Sequence, residues 1–426
     1  MRYFMISVLL HSYLLNIKIF YIYYRNFFTE QLDFFIIIAD NITNIFWRFL
    51  IMLKSITVGN FRAFSEKVTL DFSEVGKYDF NTEAIKNGLV KTAIMYGKNA
   101  GGKSSIAYAI FDIVSNLTDK FMGISHDENY KNAFNMELPV TFEYNFKFRD
   151  KEVKYIYEKS DFETFSSESL SIDGKIVINY YKDNLNTAFE VYLKGTENLQ
   201  KDLKESEISA VKWVNRNSVL ENTEENKIFK EFISFVDRML LFWSLEDRSF
   251  VGYLTRGQSI INGIIEQGHF EDFKSFFKEA GIEDKFEYKT INEEIQLLVK
   301  YGDKTLPFVK VKSSGMSSLL LVYFWLQDLL NNTNNDKSPS FICIDEFDAF
   351  YHFELSRFII EKLKKCNCQV LLTTHNTALL TNDILRPDCY YICSKKEIVN
   401  ANKSTYKELR QGHNLEKMYR GGTFGL

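Results

Sequence analysis

Thr92-Ala93-Ile94-Met95-Tyr96-Gly97-Lys98-Asn99-Ala100-Gly101-Gly102-Lys103-Ser104 is the stretch that decides the fold. A five-residue strand-like run enters a complete G-x-x-x-x-G-K-S pattern, and Ile106, Ile110, Ile113, Val114 and Leu117 follow at helical spacing. Strand, glycine-rich loop and helix start form the context a phosphate loop needs. The glycines let backbone N–H groups wrap a polyphosphate, and the positive end of the helix points at the anion. Lys103 supplies a point charge to the β and γ phosphates, and Ser104 a hydroxyl to Mg²⁺. The pattern also arises by chance, so its companions decide.

Working outward, Phe341-Ile342-Cys343-Ile344-Asp345-Glu346 reads as a buried strand ending in two carboxylates. Phosphoryl transfer needs one acid to hold Mg²⁺ and another to orient the attacking water. Asp345 suits the first task and Glu346 the second. Ser313-Ser314-Gly315-Met316-Ser317-Ser318 precedes an apolar helix from Leu319 to Leu330, offering a second anion site at a helix start. Val370-Leu371-Leu372-Thr373-Thr374-His375 is another buried strand, ending in a histidine whose imidazole suits a γ phosphate or the attacking water.

That order of four elements resembles the ABC-class ATPases. The long interval between Ser104 and Ser313 is unlike compact transporter domains and similar to the SMC and RecF-like branch, as is Asn60-Phe61-Arg62-Ala63-Phe64. Asp345-Glu346-Phe347-Asp348-Ala349-Phe350-Tyr351-His352, Leu385-Arg386-Pro387-Asp388 and the terminal Tyr419-Arg420-Gly421-Gly422-Thr423-Phe424-Gly425 resemble the defence-associated AAA-type ATPases of prokaryotic abortive-infection loci. The resemblance covers residues 53–195 and 285–425. It implies an α/β P-loop NTPase of ABC type, with a mixed sheet core, an antiparallel β lobe and a helical insertion.

Carried over residue by residue, the resemblance implies that Gly97, Lys98, Asn99, Ala100, Gly101, Gly102, Lys103, Ser104 and Ser105 cradle ATP. Ser104 and Asp345 would hold Mg²⁺, Glu346 would be the catalytic base and His375 the γ-phosphate sensor. Ser313 and Gly315 would meet the γ phosphate held by an opposing subunit, Asp348 belongs to the loop facing that interface, and Arg62 reaches nucleotide. Two departures stand out. No Gln occurs from 105 to 199 to serve as a Q-loop, and Met316 replaces a small polar residue of the signature.

Composition agrees with a globular protein: 426 residues, 46% hydrophobic and 25% charged. The net charge of -4 gives no general electrostatic footprint for nucleic acid and leaves room only for a local basic patch. Cys343, Cys366, Cys368, Cys389 and Cys393 include no C-x-x-C knuckle, which favours buried reduced thiols over zinc and a cytoplasmic setting. No heptad run or solenoid repeat is found.

Four segments are expected. Residues 1–51 are apolar but broken by Arg2, Lys18, Arg25 and Glu30, so Tyr3–Ile17 is too short to span a bilayer. They read as an upstream extension that is not native, with a membrane-surface or partner-binding helix as the alternative. Residues 52–194 form lobe I with the phosphate loop and a β meander, 195–285 the helical insertion, and 286–426 lobe II. A small polar loop is expected at Asn331–Asp336. The function expected is an ATP-hydrolysing homodimeric switch acting with a separately encoded effector in phage defence. A DNA-repair ATPase gripping DNA directly and a non-hydrolysing nucleotide-gated scaffold are the competing readings.

Overall fold

The computed structural model describes residues 51–424 other than 121–128, 149, 183–186, 201–202, 204–207, 244–249, 253–259, 292–293 and 332–337. The expectations for residues 1–50 and for the polar loop lie outside the described residues, apart from Asn331, which ends a helix. Ile51–Leu426 form one compact unit. Ile51, assigned above to the extension, is buried and opens β1 (Ile51–Gly59), because it pairs with Phe148 on a neighbouring strand. β2 (Val68–Asp71) returns antiparallel, and a two-stranded ribbon, β3 (Ile85–Lys86) and β4 (Leu89–Val90), leads into β5 (Thr92–Tyr96).

The meander is β6 (Val140–Phe148), β7 (Lys151–Lys159), β8 (Phe165–Ile172), β9 (Lys175–Lys182) and β10 (Thr187–Val191). It joins the first hairpin in an antiparallel sheet ordered β10-β9-β8-β7-β6-β1-β2. Alternation in β6 sends Val140, Phe142, Tyr144, Phe146 and Phe148 to one buried face, as a period of two requires.

A second sheet carries the nucleotide motifs. It contains β11 (Met239–Trp243) and β12 (Phe250–Gly252). A separate three-stranded sheet of β13 (Lys285–Ile291), β14 (Glu294–Tyr301) and β15 (Lys304–Pro307) intervenes in the chain. The second sheet then resumes with β16 (Phe341–Asp345), β17 (Gln369–Thr374), β18 (Tyr390–Cys393) and β19 (Ile398–Asn400), in the order β12-β11-β16-β17-β5-β18-β19. Its five central strands are parallel, and the edge strands β12 and β19 are antiparallel.

β11 corrects the expectation of a purely helical insertion at 195–285. Met239-Leu240-Leu241-Phe242-Trp243 is fully buried and lies parallel to β16 inside the nucleotide sheet. A strand covered on both faces shows no alternation, so its apolar run merges in sequence with the preceding helix Glu224–Asp237. Arg238 separates the two, and its carbonyl accepts the Ser340 N–H at the start of β16 (3.0 Å).

The helix after the phosphate loop, Lys103–Leu117, is sandwiched between the two large sheets, so it is buried nearly all round. Phe111 packs on Phe341 of one sheet, while Tyr144 Oη of the other donates to the Ala109 carbonyl (2.6 Å). Gln369, at the start of β17, stitches the sheets together elsewhere. Its amide accepts from the Leu53 N–H (2.9 Å) and donates to the Leu53 carbonyl (3.0 Å), serving the backbone at a bulge in β1. Among the described residues no helix is long and apolar enough to cross a membrane. All five cysteines are buried and free.

A polar seam runs through this apolar layer. Asp112 Oδ2 accepts from Tyr157 Oη (2.7 Å) and Asn116 Nδ2 (2.8 Å), and lies 3.9 Å from Lys159 Nζ. Lys159 donates to Asn116 Oδ1 (3.0 Å) and sits about equally close to the rings of Tyr130, Phe162 and Phe165. Both charged side chains are at most 1% exposed. Removing one partner leaves the other charge buried and uncompensated. Asp112→Ala is therefore expected to lose about 3–5 kcal/mol in a denaturant melt, and a loss within experimental error would contradict the pairing.

Candidate functional site

β5, β17 and β16 lie side by side and parallel, with Thr374 opposite Tyr96 and Ile344 opposite Leu372. Their C-terminal ends therefore share one edge, the place where open parallel sheets bind ligands. The phosphate loop leaves that edge from β5. A Cβ at Gly97 would stand 2.6 Å from the Cys393 carbonyl at the end of β18, and one at Gly102 would stand 2.6 Å from the Phe64 ring. Gly102 also takes φ 107° as it caps the helix, so both positions require glycine. Lys98, Asn99 and Ala100 are exposed at the loop's crest.

Lys103 folds back over the loop. Its ammonium donates to the Gly97 carbonyl (3.2 Å) and lies 2.7 Å from His375 Nε2. Burial lowers its proton affinity, and the carboxylates of Glu346 and Asp345 oppose that effect. Ser104 Oγ donates to Asp345 Oδ2 (2.7 Å). The pair offers a hydroxyl and a carboxylate, the hard oxygen donors that Mg²⁺ prefers, so these residues fit that ion.

Past Asp345 the chain turns sharply. Glu346 adopts φ 49°, a left-handed conformation uncommon for a residue with a side chain and concentrated at functional sites. Its carboxylate oxygen Oε1 approaches His375 Nε2 to 3.4 Å. With a charged Lys103, Nε2 accepts from the ammonium and carries no proton towards Glu346. With the ammonium elsewhere, the tautomer protonated on Nε2 can donate from that atom.

The loop after Glu346 is held at both ends. Thr374 Oγ1 donates to Asp348 Oδ1 (2.6 Å), and the Tyr351 and Ser318 hydroxyls lie 2.5 Å apart. Ser318 belongs to the helix Ser314–Asn331, which starts earlier than the apolar run suggested because the Ser-Gly motif forms its first turn. Ser313 caps it, accepting the Met316 N–H on Oγ (3.1 Å), and both Ser313 and Ser314 are exposed. Gly315 lies against the Phe350 carbonyl, where a Cβ would come within 3.0 Å. Met316 packs its half-buried side chain on the core. Arg62 stacks its guanidinium 4.2 Å from the centre of the Tyr108 ring, one helical turn beyond Ser104.

The structure thus brings together Lys103, Ser104, Asp345, Glu346 and His375, and ties Asp348 beside them. Ser313 and Gly315 sit at a separate exposed helix end. Thr373, given no role above, lies within the cluster: Oγ1 donates to Asp345 Oδ1 (2.5 Å) and accepts from the Glu346 N–H (2.8 Å). The available signal was two hydroxyl residues, Thr373 and Thr374, closing a strand whose centre is Val370-Leu371-Leu372, since buried polar groups need partners.

A family model described as an AAA domain, putative AbiEii toxin, Type IV TA system, matches residues 93–381. No curated protein matches the chain. Similar solved structures include the SMC head domain from Thermotoga maritima, at 14% identity over 82% of this chain and 98% of that one, TM-score 0.40. The recombination mediator protein RecF bound to ATP is similar at 14% identity over 82% and 99%, TM-score 0.40. An Smc head with an extended coiled coil, bound to the C-terminal domain of ScpA derived from Pyrococcus furiosus, is similar at 14% over 82% and 96%, TM-score 0.40. The family match spans more than half of the chain and encloses the site from Gly97 to His375. The chain belongs to this AAA-domain family, whose description is that of putative AbiEii toxins of type IV toxin–antitoxin systems.

Proposed function

We propose that the chain binds and hydrolyses ATP·Mg²⁺ as a homodimeric switch, with ATP bridging two copies and a separately encoded effector reading their state. The observation that carries this reading is the 2.7 Å bond between Ser104 and Asp345, which joins motifs 241 residues apart into one oxygen-lined corner. Backbone N–H groups from Gly97 to Ser105 wrap the phosphates and Lys103 neutralises them. Ser104 and Asp345 hold Mg²⁺, which draws charge from the transferring phosphoryl group when bound. Glu346 takes the proton of the attacking water, and His375 donates to the γ phosphate once Lys103 has turned to the anion.

The position of the signature supports dimerisation. Ser313 and Ser314 are exposed at the N-terminus of an 18-residue helix, whose positive dipole end favours an anion. In the proposed dimer Ser313 and Gly315 close over the γ phosphate of the second copy, with Asp348 at the interface and Arg62 beside the nucleotide. Hydrolysis removes the shared group and releases the copies. The family's toxin–antitoxin description supports a second component and a role in abortive-infection defence.

Three substitutions separate the steps. Lys103→Ala is expected to abolish ATP binding in an equilibrium titration. Glu346→Gln should bind ATP, hydrolyse it about 10²–10⁴-fold more slowly and accumulate as a dimer by light scattering. Equal hydrolysis by Glu346→Gln and the wild type would remove Glu346 as base. Ser313→Arg should retain ATP and lose hydrolysis, and full activity in that variant would dismiss the shared site.

A further inference from the structure

β17 runs between the phosphate-loop strand and the Asp-Glu strand, so its last side chains are set between the two halves of the site. We infer that Thr373 is a positioning residue that selects which oxygen of Asp345 faces the metal and fixes the turn carrying Glu346; this rests on the ATP-hydrolysing reading above.

Thr373 holds three consecutive residues of the neighbouring strand's end. Its hydroxyl has one proton, given to Asp345 Oδ1 at 2.5 Å, and a lone pair that accepts the Glu346 N–H at 2.8 Å. Its carbonyl accepts the Phe347 N–H at 3.1 Å. With Oδ1 engaged, Oδ2 is the oxygen left facing Ser104 and the cation. The Glu346 N–H bond sits at the left-handed residue itself, where an unanchored corner would relax and move the carboxylate. Packing alone does not call for the hydroxyl. Thr373 is 0% exposed on a strand that is otherwise Val370-Leu371-Leu372 at this depth, and valine has nearly its shape. Partners of this kind, one bond behind a metal ligand, typically change metal affinity about 10–100-fold when lost.

The test compares wild type, Thr373→Val and Thr373→Ser, with Mn²⁺ as the spectroscopic stand-in for Mg²⁺. Thr373→Val is expected to keep wild-type ATP affinity in EDTA and to melt at a lower temperature while still folding, because Asp345 Oδ1 and the Glu346 N–H lose a buried partner. Its metal-free form should show faster hydrogen exchange at the Glu346 amide. By electron paramagnetic resonance its ATP complex should bind Mn²⁺ at least about tenfold more weakly, and kcat should fall with KM for ATP little changed. Thr373→Ser should restore all three. If Thr373→Val does not fold, Thr373→Cys, a poor donor and acceptor of similar size, takes its place with the same expected losses. An active wild type matched by the variant in exchange, Mn²⁺ binding and kcat overturns this inference alone. A wild type that neither hydrolyses ATP nor binds Mn²⁺ with it overturns the proposed function and this inference together.

Discussion

The parallel register of β5, β17 and β16 is the constraint on which the rest depends. It aligns three strand ends so that residues near 100, 345 and 374 meet although the chain separates them widely. The side-chain period of a strand is two, so a one-residue slip of β17 would turn Thr373 away from Asp345. All three strands are buried along their whole length around apolar centres, so both faces are covered, and that coverage locks the register. The left-handed turn at Glu346 and the folded-back Lys103 are affordable only at the end of so firmly held a sheet.

Two connections lead away from this edge. The phosphate-loop helix lies between the two large sheets, and its Asp112 meets Lys159, Tyr157 and Asn116 in the buried seam. The loop after Glu346 bonds through Tyr351 to Ser318, one turn into the helix that presents Ser313 and Gly315. Both routes are made of packed or hydrogen-bonded groups with little freedom. A rearrangement at the phosphate loop therefore has physical contact with the meander lobe on one side and the exposed helix end on the other.

The most local features were the most legible in sequence. The phosphate loop, its helix, the first hairpin and the β6–β7 meander each announce themselves through glycine placement or a clear period within a dozen residues. β11 did not, because a doubly covered strand after a charged helix has neither alternation nor a turn signal beyond Arg238. The strand holding Thr373 is legible but the task of its hydroxyl is not, because its partners are fixed by register with a strand 28 residues earlier. The Tyr351–Ser318 bond was illegible because it joins a loop to a helix 33 residues earlier. Chemistry could be read from residue types; the positioning of that chemistry came from pairing between distant segments.

The shared site is tested most directly by mixing two disabled proteins, one carrying Lys103→Ala and the other Ser313→Arg, and measuring ATP hydrolysis. A mixed dimer in which each copy lends groups to the other contains one site with both Lys103 and Ser313 intact. Activity should therefore reappear on mixing two samples that are each inactive alone. If each chain instead builds its whole site from its own residues, every site in the mixture stays broken, and a mixture as inactive as its components would contradict the account.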